Sequence, residues 1–124
     1  MSLDIEIFKR ENGRCHIGLN GRLDTHTSPQ LEVSLAELSP AEFPLQILDM
    51  EKLNYISSAG LRCVFKAKKA VVAGGGRLLL VNVLPQVKKV LDIIKALPAE
   101  EVFASYAEMN EYLDKIEKQS VAGH

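Results

Sequence analysis

Asn54-Tyr55-Ile56-Ser57-Ser58-Ala59-Gly60-Leu61 joins two apolar stretches of different period. The run before it, Leu45-Gln46-Ile47-Leu48-Asp49-Met50, reads as a short buried strand. The run after it, from about Ala59 to Ala73, is long enough for a helix and apolar around most of its girth. The junction is therefore a strand-to-helix turn with two hydroxyls at the helix start. Either Ser57 or Ser58 suits the N-cap, where a side-chain oxygen accepts from a first-turn backbone N–H. Free N–H groups and the positive end of the helix dipole also make this place favourable to an anion. A serine here can be a cap, a nucleophile or a phosphoacceptor.

The helix itself carries one clearly polar stripe, Arg62, Lys66 and Lys69. At 100° per residue the stripe falls within about 40° of the line through Ser58 for Arg62 and Lys69. Lys68 lies within the apolar side, where its stem is expected to snorkel. Leu61, Val64, Phe65, Val71 and Val72 are expected to face inward on one side, and Ala59, Cys63, Ala67 and Ala70 on another. Gly74-Gly75-Gly76 follows a helix rather than preceding one, so it reads as a C-cap and not as a phosphate loop.

Working outward, Ile5-Glu6-Ile7-Phe8 and Cys15-His16-Ile17-Gly18-Leu19 are strand-like and separated by Asn12-Gly13, a strong hairpin signal. The loop Gly21 to Pro29 contains Asp24, Thr25 and His26; Thr27 or Ser28 is placed to cap a helix with Leu31, Leu35 and Leu38 on one face. Leu78 to Val83 is a further strand. Pro85 opens a helix with Val87, Val90, Leu91 and Ile94 inward, closed by Leu97-Pro98. Val102-Phe103-Ala104 reads as a short strand. Ser105-Tyr106-Ala107-Glu108 is a capping box before a last helix with Met109, Tyr112, Leu113 and Ile116 inward. The order is β-β-α-β-α-β-α-β-α. It predicts an α/β domain with a mixed, mostly parallel sheet and an antiparallel first strand. One domain over 1–118 and a disordered tail over 119–124 are expected.

Composition narrows the function. The 124 residues are 47% hydrophobic and 25% charged, with a formal net charge of −1. That balance gives no electrostatic case for nucleic acid or an anionic membrane surface. No apolar run approaches the roughly 18 residues of a membrane span, and the N-terminus lacks a signal-peptide pattern. Cys15 and Cys63 read as reduced core thiols of a cytoplasmic protein. His16, His26 and His124 have no metal-ligand spacing, so neither metal nor cofactor is expected.

Nucleophilic catalysis is poorly supported. A nucleophile elbow needs G-x-S-x-G, and here Ile56 and Gly60 flank Ser58 at those positions. No base is placed beside the serine by sequence, and Asp24 and Asp49 have no acid–base partner. Phosphoacceptor chemistry needs only an exposed hydroxyl at a helix start. A phosphate there adds about −1.5 to −2 charges at pH 7 and reverses the local sign of the surface. It can be held by first-turn N–H groups and by Arg62 one turn on.

These residues also carry a resemblance. Leu19-Asn20-Gly21-Arg22-Leu23-Asp24, Leu53-Asn54-Tyr55-Ile56-Ser57-Ser58-Ala59-Gly60-Leu61 and Leu84-Pro85-Gln86-Val87-Lys88-Lys89-Val90-Leu91 resemble, in order and spacing, three signatures of the STAS-domain anti-sigma factor antagonists. The likeness spans roughly Ile5 to Leu113. It implies a STAS-type fold, with Ser58 on the family's phosphorylated serine, Gly60 and Leu61 on its G-L, and Asp24 on its loop aspartate. Ser57 stands where many phosphorylated members have aspartate.

The resemblance implies a partner switch without catalysis by this chain. The unphosphorylated form would bind an ATP-dependent anti-sigma factor serine kinase, phosphorylation at Ser58 would release it, and a PP2C-type phosphatase would reset it. The surface expected to meet the partner comprises Asp24, Thr25, His26, Ser57, Ala59, Gly60, Arg62, Lys66 and Lys69. A monomer is the expected state. The alternatives are a non-phosphorylated STAS scaffold or a transporter-associated subunit and, less favoured, a nucleotide-binding module.

Overall fold

The computed structural model describes residues 2–94 and 102–122. It begins with a hairpin, β1 (Leu3–Glu11) and β2 (Arg14–Leu23), which pair antiparallel. Asn12 and Gly13 form its turn with φ of 53° and 76°. Two successive positive φ values match the right-handed twist of the flanking strands, which is why Asn-Gly serves here. β1 is an edge strand, and a register irregularity between Ile7 and Lys9 interrupts its pairing. Such a bulge discourages edge-to-edge association.

The chain continues through α1 (Ser28–Ala36), β3 (Leu45–Ile56), α2 (Ser58–Ala73), β4 (Arg77–Val81), α3 (Pro85–Ile94) and α4 (Tyr106–Ala122). The sheet order is β1-β2-β3-β4, with β2/β3 and β3/β4 parallel. The mixed, mostly parallel sheet expected from the alternation of elements is present. The expected fifth strand is reduced to one parallel bridge, Leu80 with Val102, backed by a Phe103 N–H to Leu80 carbonyl bond of 2.8 Å.

Alternation along the strands sends side chains to two cores. Ile17, Leu48, Leu78 and Leu80 share one cluster with Leu31 and Leu35 of α1, Leu61 and Val64 of α2, and Val87 and Leu91 of α3. Ile47, Leu79 and Val81 point the other way and meet Phe103 and Met109. Fully burying one such leucine contributes about 2 kcal/mol relative to exposure. α4 is fastened by Tyr106, whose hydroxyl donates to Asp49 Oδ2 at 3.0 Å, while Asn82 Nδ2 donates to Asp49 Oδ1 at 3.1 Å. Burial and the neighbouring carboxylate push the Tyr106 hydroxyl well above its ordinary pKa, so it stays a donor.

Several local expectations need correction. β3 does not end at Met50 but runs to Ile56, with Leu53 and Ile56 still buried. Glu51, Lys52, Asn54 and Tyr55 are exposed along it, and that polar run looked like a loop. Val72 is more than half exposed rather than inward. α4 continues to Ala122, so Gln119 to Ala122 extend the helix; no strong breaker precedes Gly123. Leu97-Pro98 and His124 lie outside the described residues. Cys15 and Cys63 are both buried.

Candidate functional site: the carboxyl edge of β2 and β3

Strands β2 and β3 run side by side and end together, Leu23 opposite Ile56. Both turns that follow therefore open on one edge, the place where parallel α/β sheets offer their sites. One turn supplies Asp24, Thr25 and His26; the other supplies Ser57, Ser58, Ala59 and Gly60.

The two serines differ sharply. Ser57 is the N-cap, with extended backbone (φ −96°, ψ 175°) and its Oγ accepting from the Gly60 N–H at 3.2 Å. Its own N–H donates to the Leu23 carbonyl at 2.9 Å, and its carbonyl accepts from Leu61 N–H at 2.9 Å. Ser57 is thus committed to holding α2 against β2. Ser58 is the first helical residue, and its side chain is exposed. Its hydroxyl has no hydrogen-bond partner among the described residues. Ser57→Ala is expected to cost about 1 kcal/mol of stability through loss of the cap. Urea unfolding checks it, and a change below a few tenths would contradict the assignment.

Gly60 explains the closeness of the turn to β2. A Cβ there would lie 2.7 Å from the Leu23 carbonyl oxygen, 2.9 Å from Leu23 Cγ and 3.0 Å from Ile56 Cγ1. The requirement is steric, because the residue sits in the first turn of a regular helix.

The Asp24 turn is a closed hydrogen-bonded unit. Asp24 Oδ1 accepts from the N–H groups of His26 (2.9 Å) and Thr27 (3.1 Å) and from the Thr27 hydroxyl (3.3 Å). Thr27 Oγ1 accepts from Asp24 N–H at 2.9 Å and lies 2.8 Å from the Arg22 carbonyl. Thr27 is the N-cap residue of α1 by position, yet its side chain makes no cap bond, because this turn already engages it. Ser28 Oγ turns back to the Asp24 carbonyl.

Desolvation pushes the Asp24 carboxyl upward in pKa, but the Thr27 and His26 N–H groups, the Thr27 hydroxyl and the nearby His26 charge outweigh it and hold it below the ordinary value of 3.8. A depressed carboxylate stabilises the fold above its unfolded pKa, and that stabilisation is lost as pH falls through the lower folded value. The melting-temperature gap between wild type and Asp24→Asn should therefore hold nearly steady above about pH 5 and narrow as pH is taken down through 3.8 and below. A gap that stays constant would contradict this.

Two further residues belong to this edge and were not expected from sequence. The Arg22 guanidinium stacks over the Tyr55 ring at 4.1 Å and lies 3.9 Å from Asp24 Oδ2. Tyr55 is 41% exposed, so the stack forms surface beside the serines. The motifs containing Arg22 and Tyr55 were visible, but their juxtaposition depends on a register shift between Gly21 and Arg22.

The basic stripe is only partly at the edge. Arg62, Lys66 and Lys69 are all exposed on α2. At 1.5 Å rise per residue, Arg62 is about 6 Å along the axis from Ser58 and Lys69 about 16 Å. Lys66 pairs loosely with Glu32 at 4.0 Å. Cys63 lies behind the stripe, and burial pushes its thiol up to about 11, so it is protonated at neutral pH. Among the described residues no group of three or more His, Cys, Asp or Glu side chains is placed to hold a metal ion, and no helix is long and apolar enough to cross a membrane.

The STAS domain family model matches residues 6–109. BtrV of Bordetella bronchiseptica, assigned as an anti-sigma factor antagonist, is 36% identical over 60% of this chain and 65% of its own length. The anti-sigma F factor antagonist of Paenibacillus polymyxa is 28% identical over 75% of this chain and 80% of its own length. Among solved structures, a sulfate transporter family protein from Wolinella succinogenes superposes with a TM-score of 0.74 at 20% identity, covering 90% of this chain and 93% of that one. The anti-sigma factor antagonist SpoIIAA in its unphosphorylated form superposes with a TM-score of 0.70 at 24% identity, covering 94% and 96%. At these identities the two structures speak to fold alone. The family match spans most of the chain, both edge turns included, and the chain belongs to the STAS domain family.

Proposed function

We propose that this chain is an anti-sigma factor antagonist that works by partner switching, as a cytoplasmic, monomeric binding protein rather than an enzyme. In its unphosphorylated form it binds an ATP-dependent anti-sigma serine kinase through the carboxyl edge of β2 and β3. The kinase transfers a phosphate to Ser58 and the complex separates. A PP2C-type phosphatase restores the free hydroxyl.

The observation that carries this reading is the division of labour between the serines. Ser57 is bonded through its hydroxyl, N–H and carbonyl, whereas Ser58 projects from the first position of α2 a hydroxyl with no hydrogen-bond partner among the described residues. A phosphate on Ser58 leaves the cap intact, and first-turn N–H groups can meet it. The domain therefore stays folded while its surface changes sign. The Asp24 turn and the Arg22–Tyr55 stack flank this point and supply a rigid surround. The names of the curated relatives favour the same reading.

The test is a calorimetric titration of the kinase encoded nearest to this chain, loaded with ADP, with unphosphorylated wild type and Ser58→Ala. Both are expected to bind with similar affinity. Binding by neither would overturn the proposal and favour the scaffold or transporter-associated reading.

A further inference from the structure

The two faces of the sheet are unequally covered. Leucines and valines of α1, α2 and α3 pack on one face, and Phe103 and Met109 cover Ile47, Leu79 and Val81 on the other. Over β1 and β2 that second face carries Asp4, Glu6, Phe8, Gly18 and Asn20 instead. The register sets them in two rows across the strands. Glu6 stands opposite Gly18, and Gly18 opposite Asp49. Asp4 stands opposite Asn20, and Asn20 opposite Lys52. From Gly18 to Asn20 β2 advances two residues, while β3 advances three, from Asp49 to Lys52. Strict alternation would turn Lys52 away from Asp49 and Glu51; the bulge brings all three to one cavity.

Gly18 supplies no side chain between Glu6 and Asp49, so the first row is open at its centre. The cavity there is about 210 Å³. Phe8 forms a wall of it. Its ring lies close to Gly18, where a Cβ would be 3.4 Å from Cε1, and tilts against His16 at 5.5 Å between ring centroids. The ring is nevertheless 48% exposed.

Charge decides the occupant. Four carboxylates, Asp4, Glu6, Asp49 and Glu51, line the cavity against one ammonium, Lys52. Neither the Arg22–Asp24 nor the Lys66–Glu32 pair engages Asp4, Glu6 or Glu51. Arg22, the cation beyond Asn20 on β2, is held by the Tyr55 ring and Asp24. Among the described residues no three of these carboxylates are gathered into a metal site. Spread carboxylates around an exposed ring suit a guanidinium, which donates in several directions and stacks on aromatic faces. The volume is below the roughly 300 Å³ at which small-molecule sites begin, so the occupant needs contacts outside the cavity as well.

We propose that this cavity takes an arginine side chain from a basic segment of a partner protein, on the face of the sheet opposite α2. The guanidinium stacks on Phe8 and donates to Glu6 and Glu51. β1 is the outer strand of the sheet, so an extended segment reaches the cavity from the side. The inference does not depend on phosphorylation of Ser58.

The experiment follows backbone amide NMR shifts of the full chain as a capped glycine–arginine peptide is added, at about 150 mM salt so that distant charges are screened. Saturable shifts at Glu6, Phe8, Gly18 and Glu51 are expected, with weaker binding of the glycine–lysine counterpart. Phe8→Leu and Glu6→Gln should each weaken binding about fivefold or more, about 1 kcal/mol, whereas Lys52→Gln should tighten it. Ser58→Asp should bind the peptide as wild type does. All four positions are exposed, and melting temperatures should stay within a few degrees of wild type. Absence of saturable shifts at these residues would overturn the proposal. So would binding by both Phe8→Leu and Glu6→Gln within twofold of wild type. Free arginine binding as tightly as the peptide would overturn it in favour of a small-molecule site.

Discussion

Ser58→Asp is expected to weaken binding to the serine kinase about a hundredfold or more without lowering the melting temperature. Two effects of the same charge act on different links. At the first position of α2 a carboxylate faces the positive end of the helix dipole, which favours the fold by about 0.3–1 kcal/mol. At an interface, a desolvated carboxylate with no partner costs on the order of 3 kcal/mol. At 1.4 kcal/mol per tenfold, that corresponds to roughly a hundredfold in affinity. A phosphate carries more charge and should act more strongly. Ser58→Ala removes a hydroxyl with no intrachain partner among the described residues, so its stability should stay within about 0.5 kcal/mol of wild type. Isothermal calorimetry with parallel melting curves separates the two links. Equal affinity of wild type and Ser58→Asp would contradict the switch, and joint loss of affinity and stability would mean that the turn had been misassigned.

Gly60→Ala is expected to destabilise the domain by about 2 kcal/mol, within the range for overpacked sites. Alanine gains up to about 1 kcal/mol over glycine in a helix interior, but less in a first turn, where fewer hydrogen bonds depend on backbone order. Against that gain stands a Cβ 2.7 Å from a backbone oxygen. The Leu23 carbonyl cannot easily withdraw, because it accepts the Ser57 N–H at 2.9 Å. Relief therefore requires α2 to move away from β2, which strains the cap and shifts Ser58. A fall of roughly 6–10 °C in melting temperature should accompany the change for a domain of this size. Slower phosphorylation by the kinase should accompany it. An alanine variant as stable as wild type would show that the β2–α2 contact yields more readily than this packing implies.

Much of the fold was legible because local chemistry and burial pointed the same way. Asn12-Gly13 is a turn that few other pairs can make, and its positive φ values are present. Leu31 and Leu35 on α1, and Val87 and Leu91 on α3, keep a helical period and are buried as expected. Where polarity and backbone state diverged, the reading failed. Glu51, Lys52, Asn54 and Tyr55 are polar or exposed, yet β3 continues through them because its backbone still pairs with Asn20 to Leu23 of β2. A strand with an open side need not alternate cleanly, so its end could not be set by pattern.

Sequence put Asp24 and the two serines in turns, but did not reveal the hydrogen bonds that distinguish them. Sequence left Ser57 and Ser58 equivalent as caps; the extended backbone of Ser57 separates them. Thr27 looked like a cap, but the Asp24 turn takes its hydroxyl. Arg22 and Tyr55 come together across a pair of shifted registers that sequence spacing cannot anticipate. Lys66 and Lys69 belong to the α2 surface and extend well away from the serines, as three turns of helix require.

The measurement that tests the central claim most directly is intact mass with site mapping after incubation with ATP and the serine kinase encoded nearest to this chain. One added phosphate, mapped to Ser58 and absent from Ser58→Ala but present in Ser57→Ala, is the predicted result. No added phosphate on a chain that still binds the kinase would contradict the switch and leave Ser57 and Ser58 as structural residues of a helix start.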